Sequence, residues 1–176
     1  MILPIIFILL IIVGLGLPLA LLISTKLNLF NAVGIAFPLG IGIFTWLMFI
    51  GNIVGIRFSL FNESILLALS AIPLVILSGR NMKAFFVNLR SSFRKPVLAP
   101  FEKVMLAVMV FLVVTSFINT FYWPVHIWDS LTLYDIRGKI FAATGFMNDA
   151  WFDSYYWGYP LLTSLAHTIV YLSGGK

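Results

Sequence analysis

The chain has 176 residues, 61% of them hydrophobic and only 10% charged, against roughly 45–50% and about 25% in soluble domains. With a mean hydropathy of +1.08, these values exclude an ordinary soluble domain and point to a polytopic membrane protein, all-α because only helices or closed barrels satisfy their backbone in lipid. The net charge of +5 does not imply a nucleic-acid partner: Arg80, Lys83, Arg90, Arg94 and Lys95 sit together between two apolar runs, where Lys and Arg mark the cytoplasmic side.

In chain order, the first predicted helix covers about Ile2 to Ser24, with Pro4 near its start and Pro18 inside. The second runs from about Phe30 to Ile56 and carries Pro38. A third is expected from Ile65 to Leu77, extended by Leu60 to Ser64, with the basic stretch 80–95 following as a loop. The fourth covers about Val104 to Tyr122 and the fifth about Pro160 to Leu172. The expected architecture is a bundle of about five spans forming a single transmembrane domain over residues 1–176. A signal peptide explains the N-terminus poorly, because Met1 to Ser24 has no basic leader and an apolar stretch that is too long. With residues 80–95 cytoplasmic, the N-terminus and residues 123–158 fall outside and Lys26 inside.

All four aspartates (Asp129, Asp135, Asp149 and Asp153) lie within that outer segment. Trp128 to Phe141 can form an amphipathic juxtamembrane helix, with Asp129, Thr132, Leu133, Ile136 and Ile140 on one face. Asp129 stands at its start, where a carboxylate can cap the first turn. Asp135 and Lys139 are four residues apart, the spacing of a pair on a helix surface. Polar stripes lead towards this region: Ser116, Asn119, Thr120 and Trp123 on the fourth helix, and Pro160, Thr163, Ser164, His167 and Tyr171 on the fifth. Polar groups facing hydrocarbon are costly, so both stripes should face the bundle interior or a wet cavity. His167, as an ionisable side chain in a span, marks a functional position or a satisfied structural histidine. The many aromatic residues of the outer segment suit an interfacial belt.

Trp128-Asp129, then Tyr134-Asp135-Ile136-Arg137-Gly138-Lys139, then Tyr159-Pro160-Leu161-Leu162 resemble the GT-C membrane glycosyltransferases, in particular bacterial relatives of the protein O-mannosyltransferase (family 39) type. The resemblance covers about residues 119–173. It implies a multi-helix enzyme of the prokaryotic plasma membrane that uses a polyprenyl-phosphate-linked sugar, with an essential acid in its first outer loop. That position maps to Asp129, the expected catalytic base. Arg137 and Lys139 are candidate cations for the leaving phosphate, and Tyr134, His126, Tyr159 and His167 complete the expected substrate-binding set. The chain departs from the family at Trp157-Gly158, where relatives carry His or Asp, and at Gly138, where alanine is usual and glycine weakens the helix. Relatives are several times longer, so an N-terminal portion is expected, with further helices or a partner chain completing the module. The competing expectation is a non-catalytic membrane component, such as a transporter subunit or a scaffold of surface-polysaccharide assembly. No cofactor is indicated. A divalent metal stays open, since two distant histidines and four aspartates define no ligand spacing.

Overall fold

A computed structural model describes residues 2–24, 27, 29–92, 100–122, 134–147 and 161–174. Among them every regular element is helical. α1 is Ile2–Ile23, α2 Leu29–Ile53 and α3 Leu60–Ser92; α4 is Pro100–Tyr122, α5 Ile136–Thr144 and α6 Leu162–Leu172. Three segments are long and apolar enough to cross a membrane: Ile2–Ile23, Leu29–Ile53 and Leu60–Val87. The apolar part of α4, Lys103–Ser116, and the whole of α6 are shorter.

α1 is not a regular α-helix throughout. Ile12–Gly16 form a π-helical turn, and the Leu17 N–H bonds the Ile12 carbonyl five residues back. Pro18 follows at once. It has no N–H to give, and its ring would crowd the carbonyl four residues earlier; a wide turn is a common solution at such a point. The turn also carries Gly16 into close contact with α2. A Cβ built there would stand 1.9 Å from the Ala36 carbonyl oxygen of α2. Ala32, Ala36 and Gly40 repeat at four-residue intervals on α2 and are all buried, the small-residue stripe that lets backbones approach in lipid.

One apolar core joins α1, α2, α3 and α6 through Phe7, Ile11, Phe44, Met48, Leu67 and Leu165. Phe7 and Phe44 meet edge to face, with ring centroids 5.9 Å apart. A second core at the other end packs Phe85 of α3 against Leu17, Leu21 and Ala32, and the Asn81 amide donates to the Leu21 carbonyl at 3.1 Å. α4 differs from all of these. Its large apolar side chains from Val104 to Val114 are exposed, as lipid-facing surface would be.

Two expectations from the sequence change here. α3 does not end at Leu77: it continues through Arg80 and Lys83 to Ser92, so the first part of the basic stretch is helical rather than loop. Lys and Arg are good helix formers, and hydropathy marks where a span leaves the apolar layer, not where a helix unwinds. α6 begins at Leu162, and Pro160 lies outside the described residues.

Candidate functional site

The distinctive chemistry lies where α5 docks on α6. Glycine makes that docking close, since a Cβ on Gly138 would stand 2.6 Å from the His167 Cβ and 3.1 Å from the Ser164 carbonyl oxygen. By helix propensity Gly138 is a weak point in the helix. In the fold it is the contact surface.

Asp135, in the turn leading into α5, is 5% exposed. Its Oδ2 accepts from the Lys139 Nζ at 2.9 Å, and its Oδ1 lies 3.3 Å from the His167 Nδ1. The Tyr171 hydroxyl donates to the same Oδ1, and the Lys139 ammonium lies 5.4 Å from the centre of the Tyr171 ring, within cation–π range. One carboxylate thus gathers three donors, two of them one helical turn apart on α6. Burial alone pushes the Asp135 carboxyl up, but the hydrogen bonds from Tyr171, Lys139 and His167, with the charge of Lys139, outweigh it and hold the group below its ordinary value. Lys139, hydrogen-bonded to Asp135, is correspondingly held above the ordinary lysine value against some desolvation.

The predicted pairing of Asp135 with Lys139 is therefore present, but not as a surface pair. Lys139 is half exposed, whereas the carboxylate is buried against α6. The expected helix phase also shifts. Ile136, expected on one apolar face with Ile140, is exposed, while Asp135, Gly138 and Phe141 turn inward. The reason is the missing Cβ of Gly138, which allows a closer approach on that side than isoleucine would. Arg137, expected as a candidate cation for the leaving phosphate, is 2% exposed, and Tyr134 is half-buried beside Asp135. Along α6, Ser164 is buried and His167 and Tyr171 half-buried, as the stripe predicted, but Thr163 is exposed and Thr168, outside the stripe, is buried. Ser116 of the α4 stripe is exposed. Asp129, His126 and Tyr159, with Asp149 and Asp153, lie outside the described residues.

A residue missed in the sequence anchors the far end of α5. Asn52, in the last turn of α2, donates through Nδ2 to the carbonyls of Ile56 at 2.9 Å and Gly145 at 3.1 Å. Its Oδ1 accepts from the Met147 N–H at 2.9 Å, and the Phe58 N–H donates to the Gly145 carbonyl at 2.8 Å. Gly145 itself, with φ +82°, closes α5 in the left-handed conformation that favours glycine at this position. Residues 54–58 and 145–147 are thereby clasped at one end of the bundle. A lone asparagine in the final turn of an apolar span was the available signal. Glu63, in the first turn of α3, is a second missed group: it is 2% exposed, and its Oε2 has no hydrogen-bond partner among the described residues.

Two apolar cavities lie elsewhere among the described residues. A groove of about 590 Å³ runs between α1 and α3 along Leu3, Phe7, Leu10, Leu67 and Ala71. Another of about 280 Å³ lies between Trp46 and Phe49 of α2 and Leu162 and Leu165 of α6. Neither is lined by a charged residue. No group of three or more metal-ligating side chains occurs among the described residues. Comparison of the chain with protein-family models, curated proteins and solved structures gives no match.

Proposed function

We propose that this chain forms part of a prokaryotic plasma-membrane glycosyltransferase, which transfers a sugar from a polyprenyl-phosphate donor to an acceptor on the outer face. The observation that carries the reading is the state of the Tyr134–Lys139 motif. It folds into a short helix on the side of α6, and it concentrates a carboxylate, an ammonium, an imidazole and a phenol beside otherwise apolar helices. An ionisable cluster of this kind within a membrane protein is a functional-site hypothesis by default.

In this proposal α4 and α6 are the fourth and fifth spans. The hydrogen-bond clasp between residues 54–58 and 145–147 supports one shared side for both segments, at the opposite end of α3 from Arg80 and Lys83. With those cations cytoplasmic, the motif faces outward. Asp129 is the proposed base that takes the acceptor proton as the sugar–phosphate bond breaks. Lys139 and Arg137 are the proposed partners of the phosphate charge that grows in the transition state, and His126, Tyr134, Tyr159 and His167 line the substrate.

The test is transfer from defined polyprenyl-phosphate sugars by the protein in membranes, comparing wild type with Asp129→Asn. Loss of transfer by at least about a hundredfold, the usual size of a general-base contribution, is expected with membrane insertion unchanged. Near-normal transfer by Asp129→Asn would remove that residue from the mechanism. The second reading, a non-catalytic transporter subunit or scaffold, draws on one observation: Asp135 is fully occupied by its three donors, as a purely structural clamp would be. Absence of transfer with every sugar lipid, in a protein that still assembles, would favour it.

A further inference from the structure

The bond between Asp135 and His167 has a direction. An ionised carboxylate only accepts hydrogen bonds, and Asp135 is kept ionised by the ammonium on its other oxygen. The His167 Nδ1 facing it at 3.3 Å must therefore carry the proton. In the neutral ring, Nε2 is then left with its lone pair outward, as an acceptor. No described residue hydrogen-bonds to Nε2, and about a third of the side chain is exposed. The ring is also held from behind, because Gly138 packs against the His167 Cβ and the neighbouring Tyr171 shares the same carboxylate oxygen. The result is a fixed ring whose Nε2, in the neutral form, is an acceptor beside the exposed donor Lys139.

We propose that Asp135 is a positioning residue that locks His167 in the Nδ1–H tautomer, so that Nε2 accepts a hydrogen bond from a hydroxyl of the glycosyl substrates. This rests on the glycosyl-transfer reading above. The matching ligand chemistry is a neutral hydroxyl donor, supplied either by the sugar on the lipid donor or by the acceptor.

Two substitutions at His167 separate this role from a structural one. His167→Gln puts an amide oxygen near the place of Nε2 and gives up the bond to Asp135. His167→Asn keeps a donor towards Asp135 and loses the outward acceptor. The full chain in lipid nanodiscs is titrated with geranyl phosphate mannose and, separately, with methyl mannoside. His167→Asn should bind about three- to tenfold more weakly, the size of one neutral hydrogen bond, while His167→Gln stays within about twofold of wild type. Weakening towards geranyl phosphate mannose assigns the hydroxyl to the donor sugar. Weakening towards methyl mannoside assigns it to the acceptor. The reverse order, with Asn normal and Gln weak, overturns the proposal in favour of a clamp.

Nitrogen NMR of histidine-labelled protein gives a readout independent of any sugar. The chain has two histidines, so His126→Gln assigns the spectrum. An Nδ1–H ring that loses its tautomer preference in Asp135→Asn is expected. An Nε2–H ring in wild type overturns the lock even where sugar binding is normal. Wild type that binds neither probe overturns the glycosyl reading, and the hydroxyl ligand with it.

Discussion

Two helix crossings in this protein depend on glycines whose missing Cβ admits the neighbouring helix, and they bring together opposite kinds of surface. At Gly16 the π-helical turn of α1 meets the backbone of α2, where the nearest atoms are a carbonyl oxygen and carbon of Ala36 and the amide of Gly40. The side chains of the facing stripe, Ala32 and Ala36, are small and apolar. At Gly138 the nearest atom is a side-chain carbon of His167, and the approach draws a carboxylate, an ammonium, an imidazole and a phenol into one cluster. The first crossing is packing alone, as membrane helices use it. The second uses the same device to hold polar groups at fixed distances. Close approach is thus a means, and the residues flanking the glycine decide whether it yields stability or chemistry.

The largest effect is expected at the apolar crossing. Gly16→Ala puts a methyl carbon 1.9 Å from a backbone oxygen, so α1 and α2 must separate. A loss of about 3 kcal/mol, the upper end of ordinary overpacking, should appear in thermal unfolding in detergent. Gly34→Ala is the control: it meets nothing within 4 Å and should leave the melt unchanged or slightly raised. Equal melts for the two variants would contradict the close crossing.

At the polar crossing, Asp135→Asn removes the charge on which three donors converge. The expected loss is about 1–3 kcal/mol, towards the lower end because Lys139 is half exposed and screened by solvent. The pH dependence has a definite sign. Asp135 titrates lower in the folded chain than unfolded, so its contribution is present above the ordinary carboxylate value and disappears as pH falls through the folded one. Lys139 titrates higher when folded, so its contribution is present below the ordinary lysine value and fades as pH rises through the folded one. The gap in stability between wild type and Asp135→Asn should therefore be widest at neutral pH and narrow towards both extremes. A gap that widened in acid would show that the carboxylate is not the stabilised form.

The smallest effect is expected for Gly138→Ala. The added carbon would stand 2.6 Å from the His167 Cβ, with the Ser164 carbonyl oxygen at 3.1 Å and the Thr168 nitrogen at 3.2 Å, so the short helix α5 must shift as a unit to relieve it. Overpacking of about 1–2 kcal/mol is partly offset by the better helix propensity of alanine, about 0.5–1 kcal/mol. Faster hydrogen exchange across Ile136–Thr144, with little change in α1 and α2, would be the signature. Unchanged exchange would mean that α5 does not need its glycine to dock.

Much of this arrangement was legible in the sequence, but unevenly. The apolar runs gave each long helix, because a stretch of about 20 apolar residues can do little else in a bilayer. The four-residue spacing gave the Asp135–Lys139 pair, and the i, i+3, i+7 stripe gave Ser164, His167 and Tyr171 as inward residues. The continuation of α3 to Ser92 was missed because hydropathy falls at Arg80 while helix propensity does not. Asn52 was missed because its partners are backbone groups of residues 56, 145 and 147, two of them more than 90 positions away, and backbone groups leave no trace in side-chain pattern.

The sequence by itself determined that the chain is helical, apolar and polarised, with its cations near one end of the third helix and its aspartates beyond the fourth. Those properties follow from composition and periodicity, which each segment carries locally. Tertiary structure alone decided that Asp135 is buried, which face of α5 turns inward, and which nitrogen of His167 faces the carboxylate. Each of these depends on how closely two helices approach. That distance is set at Gly138 by atoms from another helix, which no local pattern specifies.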